Sequence, residues 1–86
     1  MSEEIHKFVI ASLQDMNYSV EGVDAQTPLG PAGVDLESLS IAELGVRLED
    51  EYAVKFGDEE VEMVASMTVG EFVALVAERR SMVGQD

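Results

Sequence analysis

Apolar residues recur at steps of three and four along separate segments of this chain, and this spacing constrains the fold more than any other feature. The first apolar stripe consists of Ile5, Phe8, Val9, Leu13 and Met16. A helix brings residues at such steps onto one face, whereas a half-buried strand requires strict alternation. The spacing therefore predicts a first helix over residues 2–16 and an all-α fold.

The same spacing predicts two further long helices. The second is expected over residues 38–52, with a stripe formed by Ile41, Leu44, Leu48 and Tyr52. The third of the long helices is expected to begin at Val69 and to end near Arg80. Thr68 followed three residues later by Glu71 matches a capping box, which marks its start.

A short helix and two non-helical segments complete the prediction. The short helix is expected over residues 58–65, with Asp58 as its cap. Residues 17–37 contain glycines and prolines that interrupt helices, so they are read as a long loop that Leu29 and Val34 anchor. Residues 81–86 are expected to be a frayed tail. The result is one four-helix domain over residues 1–86, with three longer helices and one short one.

Composition excludes several classes of protein. The chain has 86 residues, no cysteine and one histidine, so neither a disulfide framework nor a thiolate metal site is predicted. No apolar run reaches the roughly 18 residues that span a membrane. The acidic start differs from the basic start of a secretory signal, and we expect a cytoplasmic protein.

The formal net charge of -13 has two possible explanations, a preference for certain partners or solubility alone. Such a charge repels nucleic acids and anionic lipid, and it favours proteins that have basic patches. Acidity also serves solubility alone, so charge by itself does not decide between these two readings.

Catalysis by the chain itself is not predicted. A nucleophilic serine needs a base, but His6 lies off the apolar stripe of the first helix and no GxSxG elbow is present. The many carboxylates read as exposed helix faces, and no metal site is predicted. Ser38, at the start of the second helix, is the remaining candidate. On the residues alone it is either a helix cap or a target for another enzyme, and capping is the commoner role.

Several motifs resemble the acyl carrier protein family over almost the whole chain. They are Leu29-Gly30, Asp35-Leu36-Glu37-Ser38-Leu39, Glu43-Leu44, Arg47-Leu48-Glu49-Asp50-Glu51-Tyr52 and Thr68-Val69-Gly70-Glu71-Phe72. Ser38 matches the family's modified serine because leucine follows it directly and Glu-Leu begins five residues on, whereas Ser40 fits neither spacing.

The resemblance implies a non-catalytic carrier. Ser38 would bear a 4'-phosphopantetheine arm, added from coenzyme A by a phosphopantetheinyl transferase, that holds acyl groups as thioesters. Partners would be that transferase, a ketosynthase, an acyltransferase and other synthase enzymes with basic docking patches, and the carrier would be a monomer. The residues implied for docking are Glu37, Leu39, Glu43, Val46, Glu49 and Asp50. The residues implied for sheltering the acyl group are Ile41, Leu44, Leu48, Val64, Met67 and Phe72.

The chain departs from the family pattern at a few points. Glu37 stands where aspartate is usual, Tyr52 replaces a common phenylalanine, and residues 30–33 lengthen the loop before the motif. The loop is longer than in typical fatty acid synthase carriers, and together with the sequence Leu36-Glu37-Ser38-Leu39-Ser40 it looks more like a discrete carrier of a polyketide or other secondary-metabolite pathway. The resemblance as a whole implies a discrete carrier of a polyketide or fatty acid type pathway. An aminoacyl, peptidyl or D-alanyl carrier remains an alternative, as does an acidic helical adaptor without a prosthetic group. Gly45, inside the second helix, has no assigned role.

Overall fold

The fold is known from a computed structural model, which describes residues 2–57 and 59–83. Four helices follow one another along the chain: α1 (Ser2–Asp15), α2 (Ser38–Tyr52), α3 (Glu60–Ala65) and α4 (Val69–Val83). No strand occurs in the described ranges, where an isolated bridge joins Pro28 to Thr68. The prediction of an all-α domain with three longer helices and one short one is confirmed. None of the helices in those ranges combines the length and the apolar character that crossing a bilayer requires.

The boundaries of α1, α2 and α4 follow the apolar pattern closely. Helix α2 has the predicted limits, and α1 ends one residue early because Asn17 adopts a left-handed conformation, with φ of 71°. Helix α4 continues to Val83, so the prediction of a frayed tail from residue 81 is wrong for its first three residues. The sequence offers no helix breaker before Gly84. Residues 84–86 lie outside the described ranges.

Helix α3 begins two residues later than predicted. Its first residue is Glu60, and the side-chain oxygen of Glu60 accepts a hydrogen bond from the backbone N–H of Gly57 at 2.8 Å. The side chain of the first helical residue thus satisfies a backbone donor that lies just before the helix. Asp58, the predicted cap, lies outside the described residues.

The core is formed by the predicted apolar stripes. Leu13 of α1, Leu44 and Leu48 of α2, and Val69 and Val76 of α4 are completely buried. Burying such a side chain contributes about 1.5–3 kcal/mol. Helix α1 packs chiefly against α4, and α2 packs against α3. The features described below lie on the α2–α3 pair.

The long loop is tied to the turn between α3 and α4. Leu29 is completely buried and its N–H donates to the carbonyl of Met67 at 2.9 Å. The N–H of Val69 donates to the Thr27 carbonyl at 2.9 Å, and that of Gly70 to the Ala25 carbonyl at 2.8 Å. These bonds fix the loop on the core, and the prediction that Leu29 anchors the loop is confirmed. Val34, the second predicted anchor, is half-buried.

The capping box predicted at α4 is present in full. The N–H of Thr68 donates to the Glu71 carboxylate at 2.9 Å, and the N–H of Glu71 donates to the Thr68 hydroxyl at 3.2 Å. Two backbone donors that the helix itself leaves without partners are thereby satisfied. The same turn also holds the long loop through the backbone hydrogen bonds described above. The start of α4 is therefore linked to the loop that leads to α2.

Candidate functional site

Ser38 is the first residue of α2 and does not act as its cap. Glu37 occupies the cap position in an extended conformation, and its side chain makes no capping hydrogen bond. Ser38 is exposed, and within the described residues its hydroxyl has no hydrogen-bond partner. The backbone N–H groups of the first turn and the positive end of the helix dipole are therefore open to a ligand at this point.

Ser40, two residues further on, differs from Ser38 in both respects. It is half-buried, and its hydroxyl lies 2.6 Å from the hydroxyl of Tyr18 in the long loop. This contact ties the loop to the first turn of α2. Of the two serines, Ser38 is the one whose oxygen is accessible and free.

A shallow groove runs beside Ser38 between the start of α2 and α3. Its lining residues are Ser38, Leu39, Glu59, Val61 and Glu62. A deeper cavity of about 120 Å³ lies further along the same pair of helices. It is lined by Ile41, Ala42, Gly45, Val46, Glu49, Phe56, Gly57, Glu60, Val61, Val64 and Phe72. Val61 borders both, so the groove beside Ser38 and the cavity adjoin at one side chain.

Three of the six residues named for sheltering an acyl group line this cavity, namely Ile41, Val64 and Phe72. The other three do not line it. Leu44 and Leu48 are completely buried elsewhere in the core, and Met67 is half-buried against the core after α3. The cavity follows the side of α2 that carries Ile41, Gly45 and Glu49, at steps of four residues, whereas Leu44 and Leu48 lie on the neighbouring face.

Gly45, Phe56 and Val61 line the cavity but are not among the residues named for sheltering an acyl group. Phe56 follows the end of α2, and its ring packs against Phe72 with ring centroids 5.6 Å apart. Gly45 is the only signal that the sequence offered, since a glycine within a helix removes a side chain from one face. A Cβ at Gly45 would lie 3.7 Å from the Cβ of Phe56, an ordinary contact distance.

We expect Gly45→Ala to raise the free energy of unfolding by about 0.5–1 kcal/mol. The reason is that alanine has a higher helix propensity than glycine and its methyl group has room beside Phe56. Urea unfolding followed by circular dichroism measures the change. An equal or lower stability would show that the methyl group collides with the cavity wall.

The residues named for docking form an exposed acidic surface along α2. All six are exposed: Glu37, Leu39, Glu43, Val46, Glu49 and Asp50. Leu39 retains 79% and Val46 59% of its accessible surface, which is unusual for large apolar side chains. Leu39, Glu43, Val46 and Asp50 follow one another at steps of three or four, so they share one face of the helix. Glu49 lies at the cavity.

One carboxylate on this surface, that of Glu43, is paired with a cation of the same chain. The Arg47 guanidinium lies 3.2 Å from the Glu43 carboxylate and 2.9 Å from the Asp15 carboxylate. Hydrogen bonds to Asp15 and then to Glu43 raise the pKa of Arg47 above its ordinary value. Part of the negative charge at Glu43 is thus neutralised within the chain. Met63 of α3, 40% exposed, adds an apolar side chain on the neighbouring helix that the sequence reasoning did not name.

A polar network holds one wall of the cavity. Arg79 of α4 forms two hydrogen bonds with the Glu60 carboxylate, and Glu60 also accepts the Gly57 N–H. The Arg79 guanidinium, followed by the Gly57 N–H, lowers the pKa of Glu60 to about 2, from an ordinary value of 4.5. The folded state therefore favours the ionised form of Glu60.

This pKa predicts how the contribution of Glu60 depends on pH. Because the pKa is lower in the folded state, the contribution is fully present above about pH 4.5 and is lost as the pH falls toward 2. We expect Glu60→Gln to lower the free energy of unfolding relative to wild type at pH 6, with a smaller difference at pH 3. Urea unfolding at both pH values measures it. A difference that is constant with pH would contradict a charge-based role.

Among the described residues, no histidine lines the groove beside Ser38, and its titratable side chains are the carboxylates of Glu59 and Glu62. His6 lines another surface groove, together with Glu3 and Gly70, whereas the groove at Ser38 is lined by residues of α2 and by Glu59, Val61 and Glu62. Among the described residues, no cluster of three or more histidine or carboxylate side chains is arranged to hold a metal ion. The geometry therefore presents an accessible hydroxyl at the start of α2, and no hydrogen bond joins it to a base among the described residues.

Comparison with protein-family models, with curated proteins and with solved structures yields no match to this chain.

Proposed function

We propose that the chain is an acyl carrier and that Ser38 is the attachment point of its 4'-phosphopantetheine arm. One observation carries the proposal: the Ser38 hydroxyl is exposed at the start of α2 and has no hydrogen-bond partner among the described residues, and it lies beside a groove that adjoins a largely apolar cavity. A residue that only capped the helix would bond to the backbone of its first turn, and Ser38 does not.

The attachment reaction is a phosphoryl transfer to Ser38. The serine oxygen attacks the phosphorus that bears the pantetheine portion of coenzyme A. A new phosphorus–oxygen bond forms, the pyrophosphate bond breaks, and adenosine 3',5'-bisphosphate leaves. The serine proton passes to a base of the transferase, which approaches the exposed Ser38 hydroxyl from solvent. The exposure of Ser38 allows both coenzyme A and the transferase to approach.

The residues around Ser38 suit such an arm. The N–H groups of the first turn of α2 and the helix dipole would stabilise the phosphodiester. Leu39 and Val61 would give the arm apolar contacts along the groove, and the cavity beyond Val61 would take an acyl group. When bound, the arm supplies a thiol that holds the acyl group as a thioester, which this cysteine-free chain cannot do by itself.

The acidic surface of α2 is the proposed docking site for the partner enzymes. Exposed Leu39 and Val46 would enter apolar depressions on the partner, while Glu37, Glu43, Glu49 and Asp50 would meet basic residues. The partners are the phosphopantetheinyl transferase, a ketosynthase, an acyltransferase and other synthases of a polyketide or fatty acid type pathway. We propose that the carrier acts as a monomer in the cytoplasm, where coenzyme A is available.

We expect Glu49→Lys to slow loading by the transferase about threefold or more at low salt, because it reverses one charge in the field that steers association. The difference from wild type should shrink as salt screens the charges. Loading rates at two salt concentrations measure the effect. Glu49 is preferable to Glu43, since Glu43→Lys would also break the ion pair with Arg47. Glu21→Lys, an exposed charge reversal in the loop, is the matched control and should load at a rate closer to wild type.

The proposal is tested by incubating the purified wild-type chain with coenzyme A and a broad-specificity transferase, then measuring the intact mass. We expect a gain equal to one phosphopantetheine. A chain that gains no mass would favour the acidic adaptor without a prosthetic group. Loading from aminoacyl and acyl forms of coenzyme A, followed by transfer assays, would separate an acyl from an aminoacyl or D-alanyl carrier.

A further inference from the structure

The segment between α2 and α3 forms one wall of the cavity, and α4 holds it from behind. Arg79 donates a hydrogen bond to the carbonyl of Lys55 at 2.8 Å, and its guanidinium lies 4.8 Å from the centroid of the Phe56 ring. The same guanidinium binds the Glu60 carboxylate, which accepts the N–H of Gly57. The ion pair thus contacts three consecutive residues, of which Phe56 and Gly57 line the cavity.

The ion pair is well placed to hold this wall firmly. The Arg79 side chain is 27% exposed and the Glu60 side chain 22%, so both are largely shielded from solvent. A bidentate arginine–carboxylate pair has a defined geometry as well as a strong attraction. Glu60 itself borders the cavity, so its attachment to Arg79 fixes both the start of α3 and the preceding loop.

The Phe56 ring is part of the cavity wall. On one side it faces Gly45 of α2, and on the other it packs against Phe72 of α4. The cavity, which opens to solvent near Val46 and Glu49, has a volume of about 120 Å³. An apolar cavity of about 150 Å³ accommodates benzene, so the space here suits an acyl chain of about five carbons or fewer. A longer chain would need the Phe56 wall to move.

We propose that the Glu60–Arg79 pair is a specificity determinant, which holds the Phe56 wall and thereby restricts the cavity to short acyl chains. This inference rests on the proposed carrier function and adds a substrate class to it. Glu60 and Arg79 are positioning residues, since they act through Phe56 and Gly57.

The test compares acyl chains of increasing length on the wild-type carrier and on two variants. A transferase loads the protein from acetyl-, butyryl-, hexanoyl- and octanoyl-coenzyme A, and hydroxylamine cleavage of each thioester is timed. Each further methylene that enters the cavity should slow cleavage about fourfold. In the wild type, we expect the cleavage rate to stop falling once the acyl chain exceeds about five carbons. In Glu60→Gln and Arg79→Gln, the cleavage rate should continue to fall up to the octanoyl chain.

Arg80→Gln is the matched control. Arg80 is the next residue on α4, it pairs with the Glu4 carboxylate at 3.2 Å, and its guanidinium also lies 4.8 Å from an aromatic centroid, that of Tyr52. Neither Glu4 nor Tyr52 lines the cavity. Arg80→Gln therefore removes a similar set of contacts and should retain the wild-type dependence on chain length.

A second readout needs no prosthetic arm. Flipping of the Phe56 ring in the apo protein, followed by nuclear magnetic resonance, should be faster in Arg79→Gln and Glu60→Gln than in wild type and Arg80→Gln. Unchanged ring flipping would overturn the role of the ion pair whether or not the chain is loaded. Loading with the same chain-length profile in all four proteins would overturn the specificity role alone. Failure of every protein to load would overturn the carrier function and, with it, the restriction on acyl chains.

Discussion

We expect the Ser38→Ala variant to gain no phosphopantetheine, whereas Ser40→Ala should be loaded as the wild type is. Ser38 has the exposed, free hydroxyl at the start of α2, while the Ser40 hydroxyl is half-buried and bonded to Tyr18. Removing an exposed side chain that makes no hydrogen bond should change stability little. The loss of loading in Ser38→Ala would then report the missing oxygen and not a misfolded protein. Intact mass after incubation with coenzyme A and transferase measures the result.

Ser40→Ala is the matched control for this experiment because it removes the same atom two residues away. Breaking the hydrogen bond to Tyr18 should cost about 1 kcal/mol, so its folding must be checked by circular dichroism. Loss of loading in Ser40→Ala alone, or in neither variant, would contradict the assignment of Ser38.

The second large effect is expected from Gly33→Ala, which should lower the free energy of unfolding by about 1–3 kcal/mol. A Cβ at Gly33 would overlap the carbonyl oxygen of Pro28, an atom that accepts the Val34 N–H at 2.9 Å. The turn from Pro28 to Val34 must therefore open. For a domain of this size, such a change is a considerable fraction of the total stability. Urea unfolding measures it.

Gly45→Ala is the control for the Gly33 variant, since both add one methyl group to a glycine near the α2 region. At Gly45 the methyl group has room, and the expected change has the opposite sign. Equal stabilities for Gly33→Ala and wild type would show that the loop tolerates the methyl group. In that case the extra length at residues 30–33 would be a flexible insertion and not the tight turn that the hydrogen bonds to the Gly30 carbonyl indicate.

Apolar spacing was sufficient to predict the helices because helix formation in this chain follows local pattern and capping. The limits of α2 and the capping box at Thr68 and Glu71 are both readable from neighbouring residues. The same is true of the exposed side of α2, where Leu39 and Val46 fall outside the buried stripe. Helix α4 extends beyond its predicted end near Arg80 because the sequence contains no helix breaker before Gly84.

The cavity could not be predicted in the same way. A stripe of apolar residues shows which side chains turn inward, but not which of them border a gap between helices. Leu44 and Leu48 turn inward and fill the core, whereas Gly45 borders the gap because it lacks a side chain. The pair between Glu60 and Arg79 joins residues far apart in the chain, so no local pattern indicates it.

A long-range contact also distinguishes the surroundings of the two serines. The spacing of the motif favoured Ser38, but the physical difference between Ser38 and Ser40 depends on Tyr18, in a loop that the sequence leaves without a defined path. The same loop is fixed by backbone bonds to the turn before α4, which carry no side-chain signature.

The most direct test of the central claim is to locate the added group on the wild-type chain. After loading from coenzyme A, the protein is digested and the peptide that spans the start of α2 is fragmented in a mass spectrometer. We predict that the phosphopantetheine mass lies on Ser38. Finding it on Ser40 or on any other residue, or finding only unmodified peptide, would contradict the proposal that this chain carries its cargo at the start of α2.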